Sequence, residues 1–102
     1  MEINQDELRK KINEGENLIV DFWASWCGPC RMVKPLFEKV STEVSTPMYT
    51  LNVDENRDIA IELGIRSIPT IKAFSKGKEV NNHTGIISEH QLKNIAENLI
   101  NG

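Results

Sequence analysis

Two cysteines stand three residues apart in Trp26-Cys27-Gly28-Pro29-Cys30, and the chain of 102 residues has no others. The nucleophile in disulfide chemistry is the thiolate, and a helix N-terminus favours it, because unpaired backbone N–H groups and the positive end of the helix dipole stabilise negative charge. Cys27 lies where an apolar run gives way to a helical pattern, and it combines that position with expected exposure. Cys30, three residues on, comes within reach of the first sulfur once the helix turns, so it can attack a mixed disulfide and release the partner. Arg31 adds a positive charge beside them. Asp21 is the second group with chemical potential, since a carboxylate inside an apolar strand is costly unless it is paired or neutral. A solvent-facing strand end would be the plainer reading of Asp21, but Phe22, Trp23 and Ala24 continue the apolar run.

Cysteines also serve as staples and as metal ligands. By loop-closure entropy a bridge over about four residues stabilises a fold by only about 2 kcal/mol before strain, and a reducing compartment would open it. A structural zinc site needs four ligands. Beyond the cysteines the chain offers only His83 and His90, whose spacing matches no zinc pattern, and both read as surface residues. No metal is expected.

The elements that must hold these groups follow from periodicity. Asn4 with Glu7 has the form of a capping box opening a short helix, with Leu8 and Ile12 inward and an end near Gly15. Leu18 to Ala24 is a nearly continuous apolar run, too short for a helix, and predicts a strand buried on both faces at the sheet's centre. From Cys30 onward, Met32, Leu36, Val40 and Val44, flanked by Val33 and Phe37, predict the apolar stripe of an amphipathic helix, which Pro35 should kink. Met48 to Val53 predicts a second strand, parallel to the first through a right-handed crossover. A short helix over Asp58 to Leu63 stops at Gly64. Thr70 to Ser75 and Lys78 to Thr84 predict a hairpin turning at Lys76-Gly77. Ser88 with Gln91 caps a closing helix whose inner face is Leu92, Ile95, Ala96, Leu99 and Ile100. The expected fold class is α/β, a central mixed sheet of four to five strands with helices on both faces, formed by residues 1–102 as one domain.

Composition narrows the partners. Twelve Lys and Arg against 15 Asp and Glu give a formal charge of −3, without the basic cluster that nucleic acid or an anionic membrane would need. No apolar run approaches the roughly 18 residues of a membrane-spanning helix. The charged opening MEINQDELRKK lacks the apolar core of a secretory signal. A cytoplasmic protein is therefore expected, and Asn82-His83-Thr84 is read as a chance match to a glycosylation acceptor.

The run Val20-Asp21-Phe22-Trp23-Ala24-Ser25-Trp26-Cys27-Gly28-Pro29-Cys30-Arg31-Met32-Val33-Lys34-Pro35 resembles the signature stretch of the thioredoxin family, and Gly64-Ile65-Arg66-Ser67-Ile68-Pro69-Thr70 resembles its second hallmark. The resemblance spans nearly the whole chain. It implies a thioredoxin fold and a redox-active disulfide between Cys27, the attacking cysteine, and Cys30, the resolving one, with no bound cofactor. It further implies that Asp21 is a buried acid beneath Cys30 that helps move protons, and that Pro69 is a cis proline beside the sulfurs. Ile68 would pair with the substrate chain. Trp26, Gly28, Pro29, Ile65, Gly85 and Ile86 would form an apolar rim, although Ile65 and Ile86 also fit ordinary core. Trp23 and Asp54 match a pair that orders the site, with Pro35 as further structural support.

The implied activity is reduction of protein disulfides by a monomer that a flavin-dependent thioredoxin reductase re-reduces with NADPH. The competing reading is a non-catalytic binding or accessory subunit of a larger assembly. An oxidase or isomerase fits the Gly28-Pro29 pair less well. Three features depart from the family pattern: Thr50 stands where many members place a lysine near the buried aspartate, the segment before that strand is short, and the N-terminal strand is reduced to about Met1 to Ile3. Lys72 or another lysine would have to reach the Asp21 pocket to supply the charge that Thr50 lacks.

Overall fold

The computed structural model describes residues 1–101, with side-chain surroundings through Leu99. Chain order is α1 (Gln5–Asn13), β1 (Leu18–Trp23), α2 (Gly28–Glu43), β2 (Met48–Asn52), α3 (Arg57–Glu62), β3 (Thr70–Ser75), β4 (Lys78–Thr84) and α4 (Glu89–Asn101). The four strands form one mixed sheet in the order β2-β1-β3-β4. β1 runs parallel to β2 and antiparallel to β3, and β3 pairs antiparallel with β4. The apolar run thus becomes an interior strand, as its lack of polar alternation predicts.

Strand alternation sorts the core into two layers. Ile19, Met48, Ile71 and Ala73 face Val33, Phe37 and Val40 of α2 and Leu92, Ile95, Ala96 and Leu99 of α4. Leu18, Val20, Phe22, Leu51 and Phe74 point the other way, onto Leu8 of α1 and Ile59 of α3. Full burial of one such side chain contributes roughly 1.5–3 kcal/mol, so both layers are needed to offset the chain entropy lost on folding. Ile100 of the expected inner face of α4 lies outside the residues whose surroundings are described.

The local signals hold at most ends. Asn4 and Glu7 make both bonds of the capping box, and Ser88 and Gln91 make theirs. Lys76 and Gly77 both have positive φ, 54° and 81°, the backbone twist that a two-residue hairpin requires. A register shift between Ala73 and Phe74 in their pairing with β4 leaves Val80 as an extra, exposed residue. The N-terminal strand is reduced to a single bridge from Glu2 to Thr50 on the β2 edge.

The stripe of α2 differs from expectation. Cys30, Val33, Phe37 and Val40 form its buried line, while Met32 is 66% exposed and Leu36 and Val44 are only half-buried. Both series have helical spacing, and the sheet selected the one that carries Cys30 inward. α2 runs through Pro35 without a break, and Pro35 lies on its exposed side. α3 covers Arg57–Glu62, one residue earlier than expected, with Gly64 beyond its end at φ 70°.

Candidate active site

β1 delivers the chain to the end of the sheet, where Ala24, Ser25 and Trp26 turn it into α2. Cys27 is the N-cap of that helix, with Pro29 in the first turn, and its Sγ accepts the Cys30 backbone N–H at 3.2 Å. A sulfur therefore holds the place that a serine or aspartate oxygen fills in an ordinary cap. On reduction the same N–H and the helix dipole favour a thiolate at Cys27 over one at Cys30. The two cysteines are disulfide-bonded, with Cα atoms 5.3 Å apart. Each is 3% exposed, so the expected contrast in exposure is absent in this state. The capping position is what distinguishes them.

The loop before β3 lies against Cys27, and the turn after β4 is tied to that loop. The Ile68–Pro69 peptide is cis, and the Ile68 carbonyl oxygen lies 3.6 Å from Cys27 Sγ. The Pro69 carbonyl accepts the Gly85 N–H at 2.8 Å, which ties this loop to the turn after β4. Gly85 has φ 93°, a conformation that glycine adopts without steric cost. A His83 ring nitrogen sits 2.9 Å from the Ile86 carbonyl. Trp26 and Ile86 are 68% and 56% exposed, Gly28 and Pro29 are exposed, and Ile65, Ile68 and Gly85 are half-buried. Beside them a groove of about 520 Å³ runs from Trp26 and Val53 to Ala60, Ile61, Ile65 and Ile68 of the α3 side.

Asp21 lies under the site on the α2 side of β1. It is 1% exposed, and its Oδ1 has no hydrogen-bond partner among the described residues. Burial, with a smaller contribution from the charge of Glu2, pushes its carboxyl up to about 7. Asp21 and Cys30 line one cavity of about 250 Å³, together with Trp23, Ala24, Ser25, Arg31, Lys34 and Thr50. An acid that can hold or release a proton near neutrality thus shares a space with the second cysteine.

One expected relation is corrected here, and one condition left open is resolved. Trp23 and Asp54 take different partners: Asp54 accepts the indole N–H of Trp26 at 2.8 Å, and the indole N–H of Trp23 goes to Glu2 at 3.0 Å. Two tryptophans at i and i+3 fit a carboxylate equally well on paper, and the turn after β1 decides which one faces Asp54. Lys72 is held by Glu79 at 2.7 Å and Asn82 at 2.9 Å, and the lysine that lines the Asp21 cavity is Lys34 of α2. Pro35 sits about two turns along α2 from Cys27, so its place is in the helix rather than at the sulfurs.

Glu2 is the residue that sequence reasoning missed. Its carboxylate accepts from Trp23 Nε1, from the Thr50 hydroxyl and from the Asn52 N–H at 2.9 Å. Nothing in MEINQ singles it out. Only the bridge that lays the N-terminal segment along β2 brings it there. Among the described residues there is no group of three or more His, Cys, Asp or Glu able to hold a metal ion, and no helix is long and apolar enough to cross a membrane.

Known proteins resemble this chain in sequence and fold. The thioredoxin family model matches residues 1–98. Thioredoxin of Rickettsia felis is 38% identical over 93 residues, covering 88% of this chain and 89% of that protein. Thioredoxin of Pyropia yezoensis is 43% identical over 83 residues, covering 79% and 78%. Among solved structures, a mutant thioredoxin from Halobacterium salinarum superposes with a TM-score of 0.86 at 31% identity, covering 96% of this chain and 89% of its own. Plasmodium falciparum thioredoxin gives 0.86 at 31% identity, covering 95% and 96%. With its cysteine pair capping α2 beside a cis proline, the chain belongs to the thioredoxin family and is a thiol–disulfide oxidoreductase.

Proposed function

We propose that this protein is a cytosolic reductase of protein disulfides whose electrons come from NADPH through a flavin-dependent thioredoxin reductase. The observation that carries the reading is the position of Cys27 Sγ, at the N-cap of α2 and beside the Ile68 carbonyl. A sulfur there is activated by the helix and stands where an extended substrate segment can pair with the backbone before Pro69. The rim of Trp26, Gly28, Pro29, Ile65, Gly85 and Ile86 gives such a segment an apolar seat, suited to transient docking of many partners. A pair of cysteines poised for cycling also suits a compartment that keeps thiols reduced. The chain needs no bound cofactor in this role, because its own two sulfurs carry the electrons.

The cycle starts from the dithiol. The Cys27 thiolate attacks one sulfur of the substrate disulfide, and the other substrate sulfur leaves as a thiolate that takes up a proton. Asp21 as carboxylate accepts the Cys30 proton through the cavity they share, and the Cys30 thiolate attacks Cys27 Sγ. The second substrate sulfur departs and is protonated. The substrate gains two electrons and two protons, and the protein is left as the Cys27–Cys30 disulfide that the reductase opens again.

Insulin reduction with NADPH and thioredoxin reductase tests the reading. Wild-type protein should turn over, Cys27→Ser should lose exchange entirely, and Cys30→Ser should accumulate a mixed disulfide. Retention of the cellular role by the double serine variant would instead identify an accessory subunit, and fractionation of cells would check the cytosolic assignment.

A further inference from the structure

We propose that Glu2 is a positioning residue of the exchange reaction, one that locks Trp23 and Thr50 at the mouth of the Asp21 cavity and sets the field in which Asp21 exchanges its proton. The inference rests on the reductase reading above. Thr50 is the direct neighbour of Asp21 across the parallel β1–β2 pair, and both line the cavity that Cys30 enters. Thr50 could have bonded Asp21, but its hydroxyl donates to Glu2. Trp23, two residues beyond Asp21 on the same face of β1, gives its only donor to the same carboxylate. Asn52 N–H completes a three-donor cradle. The Thr50 hydroxyl, beside Asp21 on β2, is thereby engaged elsewhere, and Asp21 Oδ1 stays without a partner among the described residues.

α2 contributes Cys30, Arg31 and Lys34 to the Asp21 cavity; the guanidinium of Arg31 donates to the Ser25 carbonyl at 3.1 Å, and the ammonium of Lys34 lies 5.7 Å from the Trp23 ring centre. β3 presents Ile71 as the register neighbour, which carries no charge. Glu2 is therefore the anion of the group and Arg31 and Lys34 are its cations. Burial and, to a smaller extent, the negative charge of Glu2 oppose ionisation of Asp21. Glu2 acts on the sulfurs only through Asp21 and Trp23.

Glu2→Gln removes the charge but leaves an amide oxygen for the Trp23 and Thr50 donors, and Glu2→Ala removes both. Two readouts on the full chain decide. Carboxyl NMR titration of Asp21 should show a midpoint lowered by roughly half a pH unit or more in Glu2→Gln, as expected for one charge lost from a partly screened position. The pH profile of exchange with a small aromatic disulfide should move down with it. Glu7→Gln, a surface charge change in α1, should move neither. Glu2→Ala should in addition change Trp23 fluorescence, because the indole loses its anchor. An unmoved Asp21 midpoint in Glu2→Gln, or a moved midpoint with an unmoved rate profile, overturns the proposal. Wild-type protein that exchanges no disulfide overturns the reductase reading and this role with it, whereas the NMR titration reads the Glu2–Asp21 coupling separately.

Discussion

Asp21 and Lys72 are both ionisable, both buried in the same sheet, and treated in opposite ways. Lys72 is 6% exposed and its ammonium is held by Glu79 and Asn82 of the neighbouring strand. Asp21 is 1% exposed and has an oxygen with no partner among the described residues. Alternation along β1 and β3 puts them on opposite faces, Asp21 toward α2 and Lys72 toward the layer of Val20 and Phe74. A buried charge that is compensated belongs to the architecture. One that lacks such a partner has its proton affinity moved toward neutrality, and here it lines one cavity with Cys30. The contrast locates chemistry more sharply than burial alone.

The largest expected effect is on stability. The folded carboxyl of Asp21 titrates near 7 and the unfolded one near 3.9, so between those values the native state binds more protons. The contribution of Asp21 is intact below about pH 4 and is lost as pH rises through about 7. Asp21→Asn, which cannot ionise, should therefore be more stable than wild type by ~2–4 kcal/mol at pH 8, with the advantage gone by pH 4. Urea unfolding of the oxidised proteins at several pH values measures this, and a pH-independent difference would break the contrast with Lys72.

Next comes the rate. Asp21→Asn should slow release of a trapped mixed disulfide by roughly tenfold or more near pH 7, since a general base typically contributes at least that much, while Lys72→Met should leave it within about twofold of wild type. Stopped-flow measurement of the resolving step distinguishes them.

The sequence made one half of this comparison readable and hid the other. A carboxylate among Val20, Phe22 and Trp23 is conspicuous, and so is a cysteine pair between a strand and a helix, because burial, capping and periodicity are local signals. Elements were legible for the same reason: the capping boxes at Asn4 and Ser88, the positive-φ pair Lys76-Gly77 and the apolar run of β1 each act over a few residues. What failed was long-range or degenerate. Met32 and Val33 both satisfy a helical stripe, and the choice between them depends on the sheet. Glu2 meets Trp23 across 21 residues and Asn52 across 50, with no pattern to announce it. The cis bond before Pro69 followed from family resemblance alone, given that only about 5% of X-Pro bonds in folded proteins are cis.

Two smaller effects sharpen the comparison. Lys72→Met should cost about 1–2 kcal/mol, nearly flat from pH 5 to 8, because it strands Glu79, whose side chain keeps 38% exposure and can turn to water. Thermal or urea unfolding across that range checks the flatness. Thr50→Lys should place an ammonium between Glu2 and Asp21 and lower the Asp21 midpoint by roughly half a pH unit. A carboxyl titration that finds no change would mean the new ammonium is neutralised by Glu2 before Asp21 senses it.

β4 closes the sheet with Lys78, Glu79, Val80, Asn81, Asn82, His83 and Thr84, six of them exposed. An outer strand with unpaired backbone groups is an open template for another chain. Here charged and amide side chains, together with the extra residue at Val80, interrupt the flat apolar ribbon that such pairing needs. The opposite edge is capped at Thr50 by the N-terminal bridge. Of the exposed apolar side chains, Trp26 and Ile86 lie at the rim beside the cysteines, whereas Val80 stands alone among polar neighbours on β4. A thiol–disulfide oxidoreductase can thus carry an apolar rim beside its cysteines while its outer strand gives a neighbouring chain little to pair with.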